Sequence, residues 1–110
     1  MDIKNKKCVP CEGGLQPVSG AELDKYMSST PEWQLINNGK ELERKFKFKN
    51  FRKALEFVNK VGEIAEGENH HPDIEFGWGY CNIRLSTHAI NGLHENDFII
   101  ATKIDGIGNA

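Results

Sequence analysis

The spacing of apolar residues changes at Asn50, and this change constrains the fold more than any other feature of the chain. In residues 41–49, apolar residues alternate with charged ones, which is typical of a strand with one buried face. After Asn50, itself a good N-cap, the spacing becomes that of an amphipathic helix. The apolar positions of this helix are Phe51, Ala54, Leu55, Val58, Val61 and Ala65. We expect Gly67 to end it.

Shorter patterns predict the secondary structure of the residues before this strand. Ser19 and Glu22 have the spacing of a capping box, which predicts a helix that ends near residues 28–31. Residues 33–36 are typical of a strand. The sequence Asn-Asn-Gly-Lys at residues 37–40 favours a tight hairpin turn into the following strand.

The residues after the long helix repeat this arrangement. Two further strands are predicted at residues 73–78 and 81–87, with a turn around Gly79, and a loop at residues 90–94 leads to a last helix at 95–104. The order α-β-β-α-β-β-α predicts an α+β fold, a two-layer sandwich with three helices on one face of a four-stranded antiparallel sheet. Because such a sheet has open edges, we expect a homo-dimer or tetramer.

Length and charge narrow the class of protein. The 110 residues suffice for one domain, at 15–110, after a flexible N-terminal arm at 1–14. A net charge of -2 gives no reason to expect nucleic acid or an anionic membrane as partner. No apolar run approaches a membrane span, the N-terminus lacks the apolar core of a secretory signal, and the cysteine count of 3 is odd. These features predict a cytoplasmic protein.

A basic stretch at residues 40–53 offers a different reading. Its lysines and arginines, interleaved with Phe46, Phe48 and Phe51, resemble a surface that stacks bases of single-stranded nucleic acid. Strand alternation argues against this reading, because it turns Phe46 and Phe48 toward the core and leaves the lysines as a solvated face.

Cys8 and Cys11 form a C-x-x-C sequence in the arm. It could be half of a zinc site or a redox pair. Cys81 lies far along the chain, and no strand pattern precedes Cys8, as it normally would in a redox pair. A flexible arm without chemistry is the simpler interpretation.

The doubled histidine at His70 and His71 is the most unusual local feature. Pro72 favours extended backbone for His71, and neighbouring side chains of extended backbone point in opposite directions. The two histidines are therefore poor joint ligands of one metal ion. They are better suited to separate tasks at one site.

The second predicted hairpin brings His88, at the end of its strand, back toward His70. Histidines that converge without a nucleophile most often perform general acid-base work, since an unperturbed pKa near 6.5 allows proton exchange at neutral pH. A zinc site is the alternative, although the histidines lie on divergent or loop positions. A Cys81 nucleophile is disfavoured, because Cys81 falls on the apolar face of its strand.

These residues resemble the signature of the pterin-4a-carbinolamine dehydratases. In that signature an acidic or polar residue precedes His-His-Pro, and an aromatic residue, a histidine and an aspartate follow at fixed spacing. Here these are Glu66, His70, His71, Pro72, Trp78, His88 and Asp97. The resemblance spans residues 15–105 and includes Trp33, and the arm around Cys8 looks like one of microbial relatives.

The resemblance implies a reaction and roles for residues. The family removes water from a 4a-hydroxytetrahydropterin to give quinonoid dihydropterin, without metal or bound cofactor, in tetrahydrobiopterin recycling for aromatic amino acid hydroxylases. His70 and His88 would transfer protons, while His71 would hold the substrate and Glu66 would orient a histidine. The further implied pterin contacts are Asn69, Ser86, Thr87 and Ala89, with Trp33 closing the pocket and Asp97 either supporting the site or capping the last helix.

Two positions depart from the family pattern. His94 stands where we expect a serine or threonine cap, which leaves the start of the last helix open. Trp78 replaces an expected tyrosine, a change that should affect packing rather than catalysis.

A second class of function stays open. Animal members of the family also act as dimerisation cofactors of a homeodomain transcription factor, which implies that a relative could serve as a protein-binding module without required catalysis. The complete histidine set favours the enzyme.

Overall fold

The computed structural model describes residues 3–9 and 16–107. The helices are α1 (Gly20–Ser28), α2 (Phe51–Glu68) and α3 (Glu95–Asp105), and the strands are β1 (Gln34–Ile36), β2 (Glu41–Lys47), β3 (Asp73–Gly77) and β4 (Tyr80–Leu85). Two short 3₁₀ helices, Ile3–Asn5 and His88–Ile90, complete the elements. This order confirms the predicted α+β fold.

The four strands form one antiparallel sheet in the order β1-β2-β4-β3. Strand β4 lies between β2 and β3, so that Cys81 is paired with Phe46 on one side and with Phe76 on the other. The end of β4 is thereby fixed by the centre of the sheet. The position of β4 therefore also determines where the next residues, Ser86 to His88, lie.

The hydrophobic core lies between the sheet and the helices. Phe46, Ile83 and Leu85 on the sheet are buried together with Phe57 and Val61 of α2. Helix α3 is buried over most of its length, and its first turn contains two buried polar residues, Asn96 and Asp97. A buried polar side chain needs a partner, so this turn requires specific contacts.

The end of α2 differs from the prediction. Gly67 does not end the helix, which continues to Glu68, and the left-handed C-cap position is taken by Asn69 with φ 54°. Asparagine adopts this conformation more easily than other residues with a β-carbon. The consequence is that His70 directly follows the C-cap of the helix.

Two other expectations about the helices need correction. Ser19 has the extended backbone of an N-cap, but its side chain makes no capping hydrogen bond, so the predicted capping box with Glu22 is wrong. Asn50 does cap α2, accepting a hydrogen bond from the Lys53 amide at 2.9 Å. Phe51 is not in the core; it is 46% exposed and its ring lies against that of Phe76.

The left-handed position at Asn69 gives a first prediction. Replacement by valine should lower the free energy of unfolding by about 1–2 kcal/mol, because a β-branched side chain tolerates this conformation poorly. Replacement by glycine should leave stability nearly unchanged, because glycine adopts it freely. Urea unfolding of the two variants and the wild type measures the difference, and equal losses for both would show that the backbone conformation is not the cause.

Residues 3–9 of the arm, which we expected to be flexible, lie against α3. Ile3 is buried, and Lys6 Nζ forms an ion pair with Glu95 Oε2 at 2.7 Å. Cys11 lies outside the described residues. None of the helices in the described part of the chain combines the length and hydropathy needed to cross a membrane.

Candidate active site

A cavity of about 550 Å³ opens where the end of α2, the end of β4 and the start of α3 meet. It brings together all the predicted pterin contacts except Trp33. Sequence reasoning missed four of its lining residues, which belong to the arm, to α2 and to α3. The lining residues are Cys8, Val9, Glu68, Asn69, His70, His71, Ser86, Thr87, His88, Ala89 and Asn96.

His70 is held by a buried carboxylate. Its Nε2 lies 2.7 Å from Asp97 Oδ1, and Asp97 is 0% exposed. Because an ionised carboxylate only accepts hydrogen bonds, the ring donates from Nε2 and keeps Nδ1 for proton exchange. The carboxylate thus fixes which ring nitrogen of His70 is available for chemistry.

Asp97 has a second function at the start of α3. Its Oδ2 accepts hydrogen bonds from Thr87 Oγ1 at 2.7 Å and from the His94 backbone amide at 3.0 Å. His94 Nδ1 in turn accepts from the Asn96 amide at 3.0 Å. The histidine therefore replaces the expected serine or threonine cap, and α3 begins at Glu95 as predicted. Asp97 both caps the helix and contacts the site.

His71 has a different partner from His70 and pairs with Glu66. Its Nε2 is hydrogen-bonded to Glu66 Oε2, and both side chains are more than half exposed. An exposed pair of this kind adds little to stability. Glu66 does not line the cavity itself, so it can influence the site only through His71.

His88 starts the 3₁₀ helix that follows β4 and is exposed. It lines the main cavity and also a smaller one of about 270 Å³ beside the β1–β2 turn. Within residues 3–9 and 16–107, no side chain is hydrogen-bonded to its ring. His70 is thus fixed by the protein, whereas the ring of His88 is free to turn toward a bound molecule.

Two predicted site residues lie elsewhere. Trp33 does not line the cavity: its ring is buried against Phe46 in the core, and Nε1 donates to Asp105 Oδ1 at 2.8 Å. A tryptophan at the start of an edge strand is held here by packing and by a polar partner for its N–H. Trp78 is 72% exposed in the β3–β4 turn and is also outside the cavity.

The two described thiols are poorly suited to nucleophilic chemistry. Burial and the nearby carboxylates of Glu68 and Asp97 raise the pKa of Cys8 to about 12. Burial raises the pKa of Cys81 to about 11. Thiolate is the reactive form. In the part of the chain that the structure describes, no group of three or more His, Cys, Asp or Glu side chains is placed to hold a metal ion.

Comparison with known proteins gives consistent matches. A family model described as pterin 4 alpha carbinolamine dehydratase matches residues 16–107. Proteins named as putative pterin-4-alpha-carbinolamine dehydratases are similar over most of the chain. The one from Methylococcus capsulatus is 52% identical over 91% of this chain and 88% of its own, and the one from Halorhodospira halophila is 49% identical over 98% and 99%.

Two solved structures share the fold. A transcriptional coactivator/pterin dehydratase from Brucella melitensis has a TM-score of 0.78 and 28% identity, and the match covers 84% of this chain and 98% of that one. A pterin dehydratase-like protein described as a RuBisCO assembly factor in the alpha-carboxysome has a TM-score of 0.61 and 25% identity, over 69% and 88%.

Proposed function

Because the chain belongs to the pterin-4a-carbinolamine dehydratase family, we propose that it is a hydro-lyase that converts 4a-hydroxytetrahydropterin into quinonoid dihydropterin and water. The observation that carries this proposal is the cavity in which His70, His71 and His88 meet, with His70 held by the buried Asp97. A cavity of about 550 Å³ is within the size range of small-molecule sites.

The proposed reaction requires one proton donor and one proton acceptor. The donor protonates the hydroxyl on carbon 4a, the C–O bond breaks, and water leaves. The acceptor takes the proton of a ring nitrogen, whose electron pair forms the new C=N bond. One proton is given and one is taken, so no external oxidant, reductant or metal is needed.

His70 and His88 fit these two tasks. Asp97 stabilises the positive charge that arises when Nδ1 of His70 takes a proton, so we assign the acceptor to His70. His88 has no protein partner for its ring in the described residues and can follow the leaving hydroxyl. We assign it the donor.

The remaining lining residues would hold the pterin. His71, oriented by Glu66, offers a polar contact at the rim. The backbone and side chains of Asn69, Ser86 and Ala89 supply further donors and acceptors for the ring. The pterin is the substrate in this proposal, and no bound cofactor takes part.

The physiological role that we propose is the recycling of a tetrahydrobiopterin-type cofactor, in service of an aromatic amino acid hydroxylase. We also propose a homo-dimer or tetramer, because strands β1 and β3 leave two open edges of the sheet.

The proposed dehydratase activity gives a second prediction. The wild-type protein should speed the loss of water from a freshly generated 4a-hydroxytetrahydropterin well beyond the spontaneous rate in buffer, followed by ultraviolet absorbance. The Asn82→Ala variant is the matched control, because the Asn82 side chain donates a hydrogen bond to Glu75 and does not line the cavity, and it should be as active as the wild type. A rate no higher than in buffer would contradict the proposed function.

The alternative is a protein-binding role, which the names of the two similar structures suggest. A module that only binds a partner does not need an ordered proton-transfer pair. An inactive wild-type protein that still binds another protein would favour this alternative.

A further inference from the structure

Asn96 holds the N-terminal arm through both polar atoms of its amide. Its Oδ1 accepts a hydrogen bond from the Val9 backbone N–H at 3.0 Å, and its Nδ2 donates to the Val9 carbonyl oxygen at 2.6 Å. The side chain thus pairs with one backbone residue as a neighbouring strand would. Asn96 is only 2% exposed, so the free amide would be costly to leave without these partners.

Two further contacts hold the arm beside the same site. The Cys8 backbone N–H donates to Glu68 Oε1 at 2.8 Å, and Lys6 is paired with Glu95. Glu68 is the last residue of α2, directly before Asn69 and His70. The arm is therefore attached to the two helix ends that also carry His70 and Asp97.

The arm contributes surface to the cavity but no group for proton transfer. Cys8, Val9 and Asn96 line the same cavity as His70 and His88. Val9 is 55% exposed and adds an apolar side chain to a largely polar wall. The other lining residues are mostly polar or charged, and Ala89 among them has only a small apolar side chain, so Val9 offers the flat ring of a pterin a larger apolar contact than Ala89 does.

We propose that Cys8 and Val9 form a docked wall of the pterin cavity, that Asn96 is the positioning residue that holds this wall, and that the wall sets the affinity for substrate and not the rate of proton transfer. This inference rests on the proposed function. It gives the arm, for which the sequence suggested no chemistry, a place in substrate recognition.

Two substitutions of Asn96 test the wall. Asn96→Ala removes both hydrogen bonds to Val9. Asn96→Asp replaces the Nδ2 donor with a carboxylate oxygen that faces the Val9 carbonyl, and it adds an acidic residue to the first turn of α3, where it is favourable. Both variants should raise KM by roughly three- to tenfold with kcat within about twofold. Asn96→Ala loses two hydrogen bonds to Val9, and Asn96→Asp loses one and places two oxygens against each other, while each lost bond weakens docking by roughly fivefold. If the effect came from damage to α3, Asn96→Asp would behave like the wild type.

A thiol measurement reports the position of the arm without any turnover. In a Cys11→Ser background the remaining thiols are Cys8 and Cys81, and Cys81 is fully buried. Alkylation of Cys8 by iodoacetamide should be slow, should become several-fold faster with either Asn96 variant, and should be slowed by 7,8-dihydrobiopterin as a stable ligand. Mass spectrometry of the peptides separates the two thiols.

The outcomes separate this inference from the function on which it rests. If the wild type is active and both Asn96 variants have the same KM and the same rate of Cys8 alkylation as the wild type, the proposal of a docked wall is wrong. It is also wrong if the enzyme is active and its Cys8 gains no protection from dihydrobiopterin. An inactive wild type without protection would overturn the proposed function and the wall together.

Discussion

Replacing His70 with alanine is expected to lower kcat for dehydration about 100-fold or more, because a positioned acid or base contributes roughly 10²–10⁴ to a rate. The same loss is expected for His88→Ala. His70 is the histidine whose tautomer the protein fixes through Asp97, and His88 is the one without a protein partner for its ring in residues 3–9 and 16–107. Stopped-flow absorbance of single turnovers measures the chemical step directly.

His94 provides the matched control. Of the four histidines it is the one that does not line the cavity, and it serves as the N-cap of α3. His94→Ser keeps a good cap, so kcat should stay within about twofold of the wild type. Full activity in both His70→Ala and His88→Ala would show that the proton-transfer assignment is wrong.

The elements of the fold could be predicted because their signals are local. The change of period at Asn50 and the Asn-Asn-Gly-Lys turn each depend on a few neighbouring residues. The cap of α2 was predicted at Gly67, two residues before its position at Asn69, since both residues suit a left-handed cap. Only the packing around the helix end decides between them, and packing is not a local property.

The sequence named seven of the eleven residues that line the cavity, but it did not predict the contacts that hold them. Asp97 was expected either to cap α3 or to support the site, and the structure shows that one carboxylate does both, with one oxygen for each task. The contact between Asn96 and Val9 joins residues 87 positions apart. No periodic pattern predicts such a pair. The C-x-x-C motif drew attention to the thiols of the arm, whereas the contacts with the side chains of Glu68 and Asn96 are made by the backbone of Cys8 and Val9.

Asp97→Ala should strongly destabilise the protein. It leaves the buried Thr87 hydroxyl and the His94 amide without an acceptor, at a cost of about 1–3 kcal/mol each. For a chain of this size a loss of about 3 kcal/mol lowers Tm by roughly 10–20 °C. Differential scanning calorimetry measures the shift. Asp24→Asn on the exposed face of α1 is the control for loss of a carboxylate and should leave Tm nearly unchanged.

Asp97→Asn separates the catalytic task of this carboxylate from the structural one. The amide keeps the shape of the side chain and one acceptor oxygen, so the helix cap can survive with a smaller loss of stability than in Asp97→Ala. Three donors face the carboxylate, however, and the amide NH₂ must turn toward at least one of them. If the oxygen stays on Thr87 and His94, the NH₂ faces Nε2 of His70, which must then accept and carry its proton on Nδ1. We therefore expect kcat to fall about 100-fold in a protein that remains folded at the assay temperature.

A folded Asp97→Asn enzyme with wild-type kcat would show that His70 does not need the carboxylate, and the assignment of the proton acceptor would then pass to another residue.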